Sequence, residues 1–199
     1  MAKPKKSELT RERVLSVTSE LFRTNGYKTT SMRDIAAAVG MKSGSLYYYY
    51  ESKEALLAAI LNDNIDATIK CLREAVDSLP PGTSVREKFH AAVRAAVKTV
   101  ADAGDMAVAS AKTLSYLQEP EYSEQVRRRQ AYNKFWRDLI QEGKAAGEID
   151  SAIPEAMTCM AIIGAITFVG EWFEPGRSST DAIGEIFAHL FFDGLHRKR

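Results

Sequence analysis

Apolar residues recur three and four positions apart along nearly the whole chain, and no segment shows a convincing run of strict apolar–polar alternation. A chain with that pattern has no strands to pair. It must bury its apolar stripes by packing helix on helix. Val14, Val17, Thr18, Leu21 and Phe22 mark one face of a first helix, which Asn25-Gly26 ends with residues that tolerate left-handed geometry. Ser31 and Asp34 have the spacing of a capping box before a short helix from about Met32 to Val39, and Gly40 marks its end. Ser43 or Gly44 opens a very short helix through Tyr50. Ser52 caps a longer one that runs to about Ser78, where Leu79-Pro80-Pro81-Gly82 stops it.

Further helices are expected over Val85 to about Ala101, Met106 to about Gln118, Glu121 to about Ala146, Pro154 to Phe173, and Ser179 or Thr180 to about Gly194. The expectation is an all-α chain of nine helices, three short ones in the first fifty or so residues and six longer ones after them.

Other classes fall away on composition. With 199 residues, 45% of them hydrophobic, the chain can bury a real core. Cys71 and Cys159 lie far apart and read as two buried thiols in a reducing compartment. Neither a disulfide framework nor a zinc site is expected, since a zinc site needs clustered Cys or His, and no metal or cofactor is expected. The longest uncharged stretch, Ala156–Gly170, is shorter than the ~20 residues of a membrane span and contains Thr158 and Thr167. It reads as a buried helix. No apolar run follows the basic start Met1–Lys6, so no secretory signal is expected, and the compartment expected is the cytoplasm.

A formal charge of +1 argues at first against a nucleic-acid partner. Its distribution reverses that inference. Residues 1–53 hold ten Lys+Arg and five Asp+Glu, while the rest hold 17 and 21. A basic head on an acidic body suggests a polyanion partner for the head alone.

Within that head, two short helices joined by a tight turn at Gly40 and braced by the first have helix-turn-helix spacing. In such a motif the second helix enters the major groove with its N-terminal residues toward base edges. Here those residues are Lys42, Ser43, Gly44 and Ser45: a cation, two hydroxyls and a glycine that allows close backbone approach. Tyr47, Tyr48, Tyr49 and Tyr50 follow and point around the helix, so they cannot all be core. A phenol can donate to a phosphate oxygen while its ring packs sideways. Lys53 could clamp another phosphate.

Gly26-Tyr27-Lys28-Thr29-Thr30-Ser31-Met32-Arg33-Asp34-Ile35-Ala36, then Gly40, Gly44-Ser45-Leu46-Tyr47-Tyr48-Tyr49-Tyr50 and Lys53-Glu54 resemble the TetR-family DNA-binding signature over about the first sixty residues. The resemblance implies a homodimeric transcriptional regulator, usually a repressor. It implies an N-terminal three-helix helix-turn-helix domain, residues 1–53, and a C-terminal six-helix ligand-binding and dimerisation domain, residues 54–199. By position it implies DNA contacts from Thr30, Ser31, Arg33, Lys42, Ser43, Gly44, Ser45, Tyr47, Tyr48, Tyr49 and Lys53, with Tyr50 in the core. Many members have Lys where this chain has Ser43, and His where it has Tyr49.

The same resemblance implies an apolar cavity among the middle helices, with His90, Met106, Tyr116, Tyr132, Trp136, Phe168 and Trp172 as candidate lining. Ser43–Tyr47 and Trp172-Phe173-Glu174-Pro175-Gly176 also look similar to the steroid- and fatty-acid-responsive branch, which implies a small hydrophobic or acyl-coenzyme A-type effector. Small and flexible apolar residues on the last two helices suggest a four-helix dimer interface with Met160, Gly164, Phe168, Ile183, Phe187 and Leu190 in it.

An enzyme finds little support. His90, His189 and His196 form no motif, and there is no G-x-S-x-G, P-loop or G-x-G-x-x-G. The expectation is a repressor released from operator DNA by its effector; a constitutive DNA-binding regulator without ligand is the alternative.

Overall fold

The computed structural model describes residues 6–103 and 113–195, and every element among them is helical. The helices are α1 (Lys6–Asn25), α2 (Met32–Val39), α3 (Ser43–Tyr49), α4 (Lys53–Asp77), α5 (Val85–Ala103), α6 (Glu121–Ala145), α7 (Glu155–Trp172) and α8 (Thr180–Leu195), with a 3-10 turn at Leu114–Tyr116. The helix expected from Met106 lies mostly outside the described residues. Two compact units result. One is built from the chain up to Asn64 and the segment that ends at Gln125; the other takes the rest. The first unit thus reaches beyond residue 53 into α4.

Local chemistry sets the first unit. The Ser31 backbone N–H donates to Asp34 Oδ2 at 2.9 Å, and the Asp34 N–H donates back to Ser31 Oγ at 3.3 Å. This capping box starts α2. Gly40, at φ +77°, ends it in the left-handed region that a side chain would strain. Ser52 Oγ accepts the Ala55 N–H at 3.0 Å and starts α4. Val14, Leu15 and Phe22 of α1, Ile35 and Val39 of α2, Leu46 of α3, and Leu56 and Leu57 of α4 are buried. Each fully buried side chain of this size contributes about 1.5–3 kcal/mol. The Arg11 fork meets Asp63 at 2.9 and 2.8 Å, tying α1 to α4.

The second unit centres on Phe89, Val93, Trp136, Ile140, Ile162, Ile166 and Phe192, which pack into one core. Both Glu148 carboxylate oxygens accept N–H groups at the start of α5, from Val85 and Arg86, each at 3.0 Å. A carboxylate there also offsets the positive end of the helix dipole. α5 packs on both α7 and α8. At Gly184 the approach is close: a Cβ there would lie 2.9 Å from the Arg94 Cα.

Among the described residues, α7 alone is long and apolar enough to cross a membrane by length and composition. Its Cys159, Ile162, Ile166 and Val169 belong to the core. Met157, Met160, Phe168 and Trp172 on α7, and Ile186 and Leu190 on α8, are exposed.

Candidate nucleic-acid interface

Leu46 is the one buried residue of α3 and has no exposed surface. It pins the helix to the unit by a single side chain. Everything around it is turned outward: Lys42, Ser43, Gly44, Ser45, Tyr47, Tyr48 and Tyr49 are all exposed. Tyr48 is 88% exposed, an unusual place for a large aromatic ring. It meets Tyr49 edge-on at 5.7 Å between ring centres. A Cβ on Gly44 would touch nothing within 4 Å, so no packing inside the protein calls for a glycine there. Tyr50 turns inward and is half-buried; burial pushes its phenol above the ordinary value. Hydroxyls, a cation and phenols on one short protruding helix are the chemistry that reads groove edges and phosphates.

Around α3 the expected contacts divide. Arg33 and Ser31 are exposed at the start of α2. The Ser31 hydroxyl donates to Asp34 Oδ2 at 2.6 Å, so its oxygen rather than its proton is what a partner would meet. Thr30 is 2% exposed, and its hydroxyl bonds the Gly26 carbonyl at 2.9 Å. It holds the loop between α1 and α2 and does not present itself to a phosphate. Lys53 is a second correction of the same kind. Its ammonium donates to the carbonyl oxygens of Tyr27 at 2.8 Å, Thr30 at 2.9 Å and Lys28 at 3.4 Å. It also lies 4.4 Å from the centre of the Tyr27 ring. Three protons meet three carbonyls, which leaves none for a phosphate.

Tyr27 is the hub of that loop. Its hydroxyl donates to Glu54 Oε1 at 2.8 Å, and burial, followed by Glu54, pushes the phenol far above its ordinary value. Its ring stacks on Tyr116 at 4.9 Å. The sequence carries no sign of this stack, since 88 residues separate the partners.

The residues expected to line an effector cavity differ in their surroundings. Met106 lies outside the described residues. Tyr116 belongs to the first unit, on Tyr27. Phe168 and Trp172 are exposed. Trp136 is fully buried in the second core, where it packs edge-on with Phe89 at 5.9 Å and Tyr132 at 6.4 Å. Burial pushes the Tyr132 phenol up to about 12. His90 is buried too, and burial lowers its pKa despite Glu185 beside it. The second unit also carries two grooves between α4 and α6. One, of about 370 Å3, is lined by Asp66, Ile69, Lys70, Arg73, Glu74 and Ala131. The other, of about 270 Å3, shares Arg73 and Ala131 and adds Val76, Lys134, Phe135 and Leu139 among its walls.

Of the expected interface residues, Met160, Gly164, Phe168 and Leu190 are exposed. Ile183 is 6% exposed and belongs to the core, and Phe187 packs against that core. α8 is apolar on more than one side, so its sequence did not show which stripe faces outward. Ile186, four residues before Leu190, is on the exposed one.

Two family models match the chain. Residues 14–60 match "Bacterial regulatory proteins, tetR family", and residues 82–195 match "Tetracyclin repressor-like, C-terminal domain". The chain is 27% identical over 189 residues to the HTH-type transcriptional repressor KstR2 of Mycolicibacterium smegmatis, covering 93% of this chain and 90% of that protein. A tetR-family regulatory protein from Rhodococcus RHA1 superposes with a TM-score of 0.86 at 23% identity, covering 99% of this chain and all of that one. AibR, solved in complex with isovaleryl coenzyme A and operator DNA, superposes at 0.78 and 22% identity over 92% of this chain and 98% of that one. With one model spanning the helix-turn-helix and the other more than half of the chain, the protein belongs to the tetR family of bacterial regulatory proteins and is a helix-turn-helix transcriptional regulator.

Proposed function

We propose that the protein acts in the cytoplasm as a homodimeric repressor that places two copies of α3 in successive major grooves of operator DNA. The observation that carries this is the outward face of α3, with Lys42, Ser43, Ser45, Tyr47, Tyr48 and Tyr49 exposed around the single anchor Leu46. Half-sites about 34–36 Å apart suit such a dimer. The exposed apolar stripes of α7 and α8 support an isologous interface, since a monomer seldom leaves so many large apolar side chains in water.

The effector is a small hydrophobic or acyl-coenzyme A-type molecule. Support comes from the grooves between α4 and α6, where Ile69, Val76 and Phe135 offer apolar walls beside Arg73, with Lys70 and Lys134 paired to Glu74 and Asp138. AibR, solved with isovaleryl coenzyme A, points in the same direction. α4 runs unbroken from Lys53 to Asp77, so a shift at its far end is felt at the end that follows α3. The test is a panel of acyl-coenzyme A thioesters in a thermal-shift screen, followed by DNA-release assays on the selected operator. A thioester that raises the melting temperature and releases DNA supports the reading. Retention of DNA with every effector class would mark a constitutive regulator.

A further inference from the structure

Outside the DNA-binding helix and the grooves, one cluster of metal-ligating side chains stands out among the described residues. His90 of α5 and Glu185 and His189 of α8 each offer one donor atom, and these atoms all lie within 4.8 Å of one another. Glu185 Oε1 is 3.1 Å from His189 Nε2 and 3.4 Å from His90 Nδ1. Ligand atoms around a zinc ion at its usual bond lengths stand ~3.3 Å apart along a tetrahedral edge, so two of the three edges are already in place. The third, between the two histidine nitrogens, is no longer than 4.8 Å, and the half-exposed His189 side chain has room to adjust.

The backbone builds the cluster. Gly184 lets α8 approach α5 until a Cβ would lie 2.9 Å from the Arg94 Cα, and Glu185 is the next residue. His189 follows one turn later, on the same face. A supporting shell is present as well. Arg94 holds Glu185 Oε2 at 2.7 Å and leaves Oε1 to the site. Asp193 Oδ2 lies 3.9 Å from His189 Nδ1, the ring nitrogen not facing Glu185, near enough for a small turn to bring it into hydrogen-bond reach.

We propose that His90, Glu185 and His189 form a binding site for a divalent first-row transition ion, Zn2+ being the probe, that staples α5 to α8. Two imidazoles and one carboxylate are the donor set such ions take, with a fourth position open on the His189 side. An ion there fixes the helix that carries Ile186 and Leu190.

The test uses the full-length untagged chain, stripped with a chelator and titrated with Zn2+ by calorimetry, with the melting temperature followed in parallel. The expected result is one ion per chain and a rise in melting temperature with Zn2+ concentration. His189→Ala and Glu185→Gln, at partly exposed positions, should each weaken binding at least about tenfold while helicity by circular dichroism stays unchanged. Absence of binding overturns the proposal. So does binding that both variants leave intact, which places the ion elsewhere. DNA binding enters neither readout, so this proposal and the repressor reading fail separately.

Discussion

The ammonium of Lys53 lies 2.9 Å from the carbonyl oxygen of Thr30, and that contact turns an expected phosphate clamp into a brace. The loop from Gly26 to Thr30 connects two helices of the DNA-binding unit, and its carbonyls would otherwise need water. Lys53→Ala should lower the free energy of unfolding by about 1–3 kcal/mol. The salt dependence of DNA binding should keep its slope. A slope reduced by about one, with stability unchanged, would restore Lys53 to the phosphate.

Tyr48 gives the opposite signature. Its side chain contributes almost nothing to the buried core, so Tyr48→Ala should leave urea unfolding within about 0.5 kcal/mol of the parent. Operator affinity, measured by fluorescence anisotropy, should fall at least severalfold. Unchanged affinity would remove Tyr48 from the interface.

Phe168→Asp and Leu190→Asp place charges on the exposed stripes of α7 and α8. Sedimentation velocity should show each variant as a monomer with native helicity. A dimer that survives both would move the interface to another face.

Gly184→Ala puts a methyl against the Arg94 backbone. Overpacking of this kind costs about 1–3 kcal/mol. Denaturant unfolding should show that loss; a curve unchanged from the parent would show that α8 can move away from α5 at no cost.

The capping box also sets a pH dependence. Bonds from the Ser31 hydroxyl and backbone N–H hold the Asp34 carboxyl below its ordinary value. A carboxyl depressed by folding stabilises fully above its unfolded pKa, and that contribution fades as pH falls through the folded one. Below about pH 4, Asp34→Asn should lose stability less steeply than the parent. Parallel curves would show that the box contributes nothing through ionisation.

How much of this was visible in the sequence follows from range. Ser31, Asp34, Gly40 and Ser52 act within four residues of themselves, so the start and stop of α2 and the start of α4 could be placed from letters alone. The outward turn of Tyr47–Tyr49 followed from the family resemblance, while Leu46 as their single anchor showed only in the fold. Lys53 was not, because its partners are backbone carbonyls some 25 residues away, which no side-chain pattern records. The same holds for His90 and His189, which formed no motif in sequence and meet only because Gly184 draws α8 onto α5. Ile183 and Ile186 are equally apolar, and packing on α5, not composition, decides which one is buried.

The central claim is that α3 reads DNA as part of a dimer. Selection of bound duplexes from a random pool, run in parallel with the wild-type chain and a Lys42→Ala/Tyr48→Ala variant, tests it most directly. The wild type should enrich an inverted repeat with half-sites about 10 base pairs apart, centre to centre, and the variant should lose or alter those half-sites. Enrichment of the same sequence by both chains, or of none by the wild type, would contradict it.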